Sequence, residues 1–244
     1  TYFFDVSTPA SPILRDYVKG RRDSCIWREY KTYQNYLYTV SDDAVYASNQ
    51  NSLQIIDMSY LPDSVHVAYD MDTLFMRSHT VFIDGDKMYG GYVHTHSSEY
   101  SMAVYSLANP VVPQFLRSLN QDDPSITTVH DMYVRNDTVY ASCGSDGLHI
   151  YKYNANNTFT QIGSLTSYQN YGQGFNHSSA LTENGKTLIF ADEVPANLAL
   201  KSLDVSDFSN LTVIDTFRST PTTGATPHNP FIRKNDNQRV VVAY

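Results

Sequence analysis

Cysteine, charge and long apolar runs are all scarce in this chain of 244 residues. Two cysteines, Cys25 and Cys143, cannot make the disulfide framework of a small secreted scaffold. No stretch approaches the roughly 18 uninterrupted apolar residues that a membrane-crossing helix needs. Charged residues make up only 17% of the chain, and the balance is acidic, at −8. That sign argues against nucleic acid and anionic membrane surfaces as main partners. The usual enzyme signatures are missing as well: there is no G-x-S-x-G, no H-E-x-x-H, no P-loop and no G-x-G-x-x-G. The two glycines of "YGQGFNH" have neither the spacing nor the following helix of a dinucleotide site. No window of about 12 residues keeps a helical period, which excludes a helical or α/β class.

What remains is rich in tyrosine and in strands. Twenty tyrosines stand beside a single tryptophan, and tyrosine suits half-buried strands and recognition surfaces. Hydrophobic residues make up 41%, enough for a real core. Runs such as "DTVYASCGSDGLHIYKY" and "KTLIFADE" are short, β-rich and split by Asn, Asp, Gly and Ser. The class expected is all-β.

A repeat organises these strands. "SHTVFIDGDKMYGGYV" at His79, "VHDMYVRNDTVYASC" at His130, "NHSSALTENGKTLIFAD" at His177 and "PHNPFIRKNDNQRVVVA" at His228 share one frame: histidine, small polar residue, apolar strand, polar turn, second strand. The histidines are 51, 47 and 51 residues apart. "IWREYKTYQNYLYTVSD" fits the frame one period earlier, with Trp27, Arg28 and Glu29 in place of the histidine pair. A second signature runs out of phase. "YFFDVSTPASP", "LQIIDMSYLPD" and "LKSLDVSDFSN" each end a third strand in aspartate (Asp5, Asp57, Asp204), while Ser106 and Lys152 occupy that place in the other two copies. A fourth strand follows. Four strands in about fifty residues is the pattern of a propeller blade, which buries its faces only by stacking on neighbours. The expectation is one β-propeller domain over 1–244. It has five blades if the half-blades at the two ends join; otherwise it is part of a six- or seven-bladed ring and a fragment of a longer chain.

"IIDMSYLPDS" and "SLDVSDFSN" resemble LVIVD repeats. The ordered set "WREYKTYQNYLYTVSD", "SHTVFIDG", "VHDMYV", "NHSSALTENGKTLIFADE" and "PHNPFI" is similar to the propeller domain of the choice-of-anchor B family. The match covers almost the whole chain and departs from the family at "VYSLA" and "IYKYN", where its aspartate is absent. The resemblance implies a propeller and an extracellular or cell-surface bacterial protein, with signal peptide and anchor in flanking sequence. It implies no established activity.

The candidate site residues follow from the frame. First strands line a propeller's channel, so His79, His130, His177 and His228 are expected near one end of the axis, as a metal site or as a repeated hydrogen-bonding device. Arg28, Glu29, Asp192 and Glu193 are further channel-facing candidates. The acids of "FADE" have no counterpart in the other copies, so repetition does not explain them. The implied metal is zinc at the imidazoles or calcium at the carboxylates. His94, His96 and Glu99 of "YVHTHSSEY" form a weaker candidate, and the loop 167–179, "SYQNYGQGFNHSS", is a candidate recognition edge. No residue is assigned a catalytic role. The function expected is a secreted or surface module that binds a protein or glycan without catalysis. The alternatives are a metal-assisted hydrolase or lyase in the channel and a scaffold subunit of a surface assembly.

Overall fold

Short alternating runs closed by polar turns fold back on themselves as antiparallel meanders. The computed structural model describes residues 1–21, 25, 27–42, 53–219, 224–233 and 239–243. Ile26, which opens the "IWREY" motif, lies outside the described residues, as do residues 234–238 of the last repeat and Tyr244. The chain is all-β and divides into two compact units, Thr1–Leu116 and Arg117–Tyr244.

In the first unit, β1 (Tyr2–Asp5) and β2 (Ile13–Tyr17) form a hairpin. Next comes a four-stranded sheet of β3 (Glu29–Tyr33), β4 (Tyr36–Val40), β5 (Leu53–Asp57) and β6 (His66–Met71). A second sheet follows, of β7 (Arg77–Asp84), β8 (Lys87–His94), β9 (Glu99–Ser106) and β10 (Gln114–Ser118), whose last strand runs into the start of the second unit. The second unit holds the sheet β11 (Asp131–Arg135), β12 (Thr138–Ser142), β13 (Leu148–Tyr153) and β14 (Phe159–Leu165). It continues with the sheet β15 (Asn176–Leu181), β16 (Thr187–Asp192), β17 (Leu200–Asp204) and β18 (Thr212–Phe217), then a hairpin of β19 (His228–Ile232) and β20 (Val240–Ala243). Every sheet keeps its strands in chain order, as the repeat predicts. The only helical pieces among the described residues are two single 3₁₀ turns, Leu119–Gln121 and Gln169–Tyr171, so no described helix is long and apolar enough to cross a membrane.

Sheets within each unit stack face to face. In the first, Tyr38, Leu53 and Ile55 of the β3–β6 sheet pack with Val81, Met88 and Tyr105 of the next sheet. The β1–β2 hairpin covers the other face through Phe3, which sits against Ile56 and Val65. In the second unit, Tyr140, Leu148 and Ile150 meet Leu188, Phe190 and Leu203. The far face of that sheet, at Ile189, Ala191 and Leu200, takes Ile232, Val240 and Val242 of the last hairpin. Central strands are therefore apolar on both faces, which is why β5, β13 and β17 read as nearly continuous buried runs.

The out-of-phase aspartates end strands by capping turns. The carboxylates of Asp5, Asp57 and Asp204 accept the N–H of the serine two residues on, at 2.9, 2.8 and 2.9 Å. These are Asx turns. At the end of β9, Ser106 Oγ accepts the N–H of Ala108 at 3.2 Å, so the copy without aspartate keeps the device in weaker form. Lys152 departs further and donates Nζ to Asn136 O at 2.7 Å. The serine hydrogen bonds hold the carboxyls of Asp57 and Asp204 below the ordinary carboxylate range. Phe190→Ala is expected to cost about 3–5 kcal/mol by opening a cavity in the second unit's core, read as a lower urea midpoint. Asp204→Asn keeps the turn acceptor and should leave the midpoint near wild type. Equal losses in the two variants would contradict this division between core and cap.

Candidate functional site

The first strands of the second unit run beside one another, β11 against β15 and β15 against β19. His130 immediately precedes β11, His177 is the second residue of β15, and His228 opens β19. Equivalent phase on neighbouring strands brings the three rings into a file. The His130 and His177 ring centres are 4.5 Å apart, and those of His177 and His228 are 3.8 Å apart. Glu193 follows β16 directly and completes the group. A nitrogen from each of His130 and His177 and an oxygen of Glu193 lie within 4.8 Å of one another, and His228 Nε2 is 3.8 Å from Glu193 Oε1.

The surroundings hold these groups in place. Ser178 Oγ is 2.9 Å from His177 Nδ1 and accepts the N–H of Asn229 at 3.2 Å. His130 Nδ1 is 3.4 Å from the His177 carbonyl, a long contact. The Phe175 ring meets His130 edge-on at 5.2 Å, and the Phe175 backbone brackets the acid. Glu193 N–H donates to Phe175 O at 2.9 Å and Phe175 N–H donates to Val194 O at 2.8 Å. Gly144 makes room for that ring. Its φ is +60°, and a Cβ there would lie 2.5 Å from Phe175, so an alanine would be strained and would displace the wall behind His130.

The two adjacent acids of "FADE" part company. Glu193 joins the imidazoles, whereas Asp192 is fully buried with Lys201. Lys201 Nζ donates to Asp192 Oδ2 at 2.7 Å and to Ala199 O at 2.9 Å, and Tyr168 O–H donates to Asp192 Oδ1 at 2.7 Å. The Lys201 ammonium also sits over the Tyr168 and Phe190 rings, 5.6 Å from each centre. This closed charge pair pins the 168–175 loop to the β15–β18 sheet. The sequence frame names Asp192 but gives no sign of Lys201 or Tyr168 as its partners.

The remaining histidine and charged candidates belong to the first unit. His79 belongs to the first unit, where its Nδ1 lies 2.5 Å from Asp42 Oδ2. Burial pushes the Asp42 carboxyl up, but His79 and the nearby Arg77 outweigh it and hold the group below its usual value. Glu29 opens β3 opposite Val40. Arg28 packs its guanidinium against Gly20. Trp27 stays half exposed. His94 and His96 do not share one centre. His94 Nδ1 lies 2.9 Å from Glu99 and its Nε2 lies 2.6 Å from Arg77 Nη2, whereas His96 lies 3.3 Å from Asp72. The Arg77 guanidinium lies against both ring nitrogens, its Nη2 being 3.2 Å from Nδ1 as well. Burial, then the Arg77 charge, lowers the His94 pKa from its ordinary value. Cys25 and Cys143 are unpaired thiols, and burial pushes the Cys143 thiol up.

The 167–179 loop has a cavity of about 340 Å³ at its foot, lined by Ser167, Tyr168, Asn170 and Tyr171 of the loop and by Leu211 and Val213. Tyr171 is 44% exposed at its rim.

No protein-family model and no curated protein matches the sequence. Solved structures do resemble the fold. A Bacteroides uniformis protein provisionally described as a 6-phosphogluconolactonase aligns with 99% of this chain and 70% of its own, at 12% identity and a TM-score of 0.69. A Lactobacillus plantarum protein aligns over the same shares at 14% identity and 0.67. The computationally designed Ika8 protein aligns with 88% of this chain and 54% of its own, at 10% identity and 0.52. The chain thus spans about half of the designed protein and seven tenths of the two bacterial ones. At these identities the likeness shows the fold alone, a propeller-like all-β architecture.

Two predictions follow from the charge placements. Lys201→Met leaves Asp192 buried without its cation and should cost about 3–5 kcal/mol, measured by chemical denaturation; a loss under about 1 kcal/mol would show that the pair is dispensable. In NMR titration His94 should titrate below the ordinary value of about 6.5. Its depressed pKa means that its contribution to stability is whole above that value and is lost as pH falls through the folded-state pKa. Arg77→Gln should move the titration upward, and an unmoved His94 would refute the assignment.

Proposed function

We propose that this protein is a secreted or cell-surface β-propeller of the LVIVD type that binds a protein or glycan partner through loops, without catalysis. Its four-stranded sheets serve as the blades. The two terminal hairpins supply a fifth blade by joining, or else belong to a ring of six or seven. The observation that carries the binding reading is the cavity beneath the 167–179 loop, rimmed by Tyr171 and floored by Leu211 and Val213. An exposed phenol beside amide and hydroxyl groups gives stacking area and hydrogen bonds at low ordering cost, and the buried Tyr168–Asp192–Lys201 contact holds the loop ready. The acidic charge and the LVIVD-like turns support the same reading.

A second reading, a hydrolase or lyase working with metal, rests on one observation, the approach of Glu193 to His130 and His177. A carboxylate beside two imidazoles can hold a Lewis-acidic ion or move a proton.

The binding reading is tested on a glycan microarray and by affinity capture from bacterial cell-surface extracts, comparing the protein with Tyr171→Ala. Ligands retained by the wild type should lose about tenfold or more in affinity in the variant. An unchanged profile in Tyr171→Ala would remove the loop from recognition.

A further inference from the structure

The geometry points to a binding site for one divalent transition-metal ion of the zinc class, held by His130, His177 and Glu193, with His228 beside it as a further donor. This is independent of the loop-binding reading and requires no partner.

The donor distances come first. Tetrahedral zinc takes nitrogen and oxygen ligands near 2.0–2.2 Å, which places donor atoms about 3.4 Å apart. The three donor atoms already lie within 4.8 Å of one another, so ligation asks for side-chain movements of about an ångström. His228, 3.8 Å from the same carboxylate, stands where a fourth ligand or a ligand-bound water would be steadied.

Repetition accounts for the histidines, which lie at the start of first strands, but not for the meeting of several imidazoles at one acid. In register with the aspartates Asp57 and Asp204, Glu193 corresponds to Asp42 of the first four-stranded sheet, and that acid also meets a repeat histidine, His79. Glu193 differs in facing several imidazoles at once, those of His130 and His177 within 4.8 Å and that of His228 at 3.8 Å. Mere packing of rings does not need it.

The surroundings suit a metal centre. A ligating histidine is ordinarily oriented by a hydrogen bond at its other nitrogen, and an apolar wall limits water. Ser178 supplies such a contact at His177 Nδ1, itself held by Asn229 N–H, and Phe175 supplies the wall at His130. The backbone bonds between Glu193 and Phe175 and between Phe175 and Val194 fix the acid relative to that wall. Two nitrogens with a single carboxylate oxygen favour a borderline ion over calcium or magnesium, which want mostly oxygen. Three protein donors leave a fourth position, which His228 or a water steadied by it would fill.

The test uses the whole chain, freed of metal with a chelator, and titrates Zn²⁺, Co²⁺ and Ca²⁺ by calorimetry. Zinc should bind one to one, raise the melting temperature, and bind at least a hundredfold more tightly than calcium. Cobalt should give the intense visible absorption of a low-coordinate site. Glu193→Gln and His130→Asn, at half-buried positions where folding can be verified by circular dichroism, should each weaken zinc at least tenfold. His96→Ala, at an exposed histidine of the first unit that is paired with Asp72, should leave zinc binding unchanged. Zinc binding unaffected by Glu193→Gln and His130→Asn, binding lost in His96→Ala, or calcium preferred to zinc would each overturn the assignment.

Discussion

A four-stranded meander whose central strands are apolar on both faces cannot be buried by itself, and this constraint shapes the rest of the molecule. Each interior sheet needs a neighbour on either side. The β3–β6 sheet takes the β1–β2 hairpin and the β7–β10 sheet, and the β15–β18 sheet takes the β11–β14 sheet and the last hairpin. A Leu or Phe enclosed between two sheets is worth about 1.5–3 kcal/mol. Several such residues at each interface hold the sheets in face-to-face contact, and that contact fixes how their first strands sit side by side. The histidine file is a consequence: one residue in one phase of the repeat becomes, after stacking, three rings in van der Waals reach.

Stacking supplies proximity, but chemistry comes from what the repeat does not predict. Asp192 and Glu193 are neighbours in sequence with separate fates. Asp192 turns inward and is neutralised by Lys201, with Tyr168 tying the 167–179 loop to it. Glu193, just past the strand end, reaches the imidazoles. A buried ion pair is weak evidence for net stability. Its clearer service here is positional, because it fixes the strand end from which Glu193 departs and the loop that walls the site with Phe175.

Much of this was legible in the sequence. The histidine phase located the first strands within two residues: β11 begins just after His130, β19 begins at His228, and β7 and β15 take in His79 and His177. The aspartate signature located the ends of β1, β5 and β17, though its work as a turn cap emerged only with the hydrogen bonds to Ser7, Ser59 and Ser206. Glu193 drew notice as an acid without a match in the other copies, although strand register sets it level with Asp42. Partners set by packing across sequence left no signal. Nothing near Asp192 marks Lys201, and nothing in the repeat frame marks Asp42 as the acid on His79. His94 and His96, spaced to share a face, each take a different carboxylate because a turn at Thr95 separates them. Strand alternation does not survive the end of the strand.

The central claim is that stacking has built a metal centre from repeated histidines and the acid that ends one second strand. The most direct measurement is anomalous diffraction at the zinc edge from crystals grown with zinc. The account predicts a single strong peak about 2.0–2.2 Å from a nitrogen of His130, a nitrogen of His177 and an oxygen of Glu193. Peaks confined to exposed groups such as His96, with no density between His130, His177 and Glu193, would contradict it.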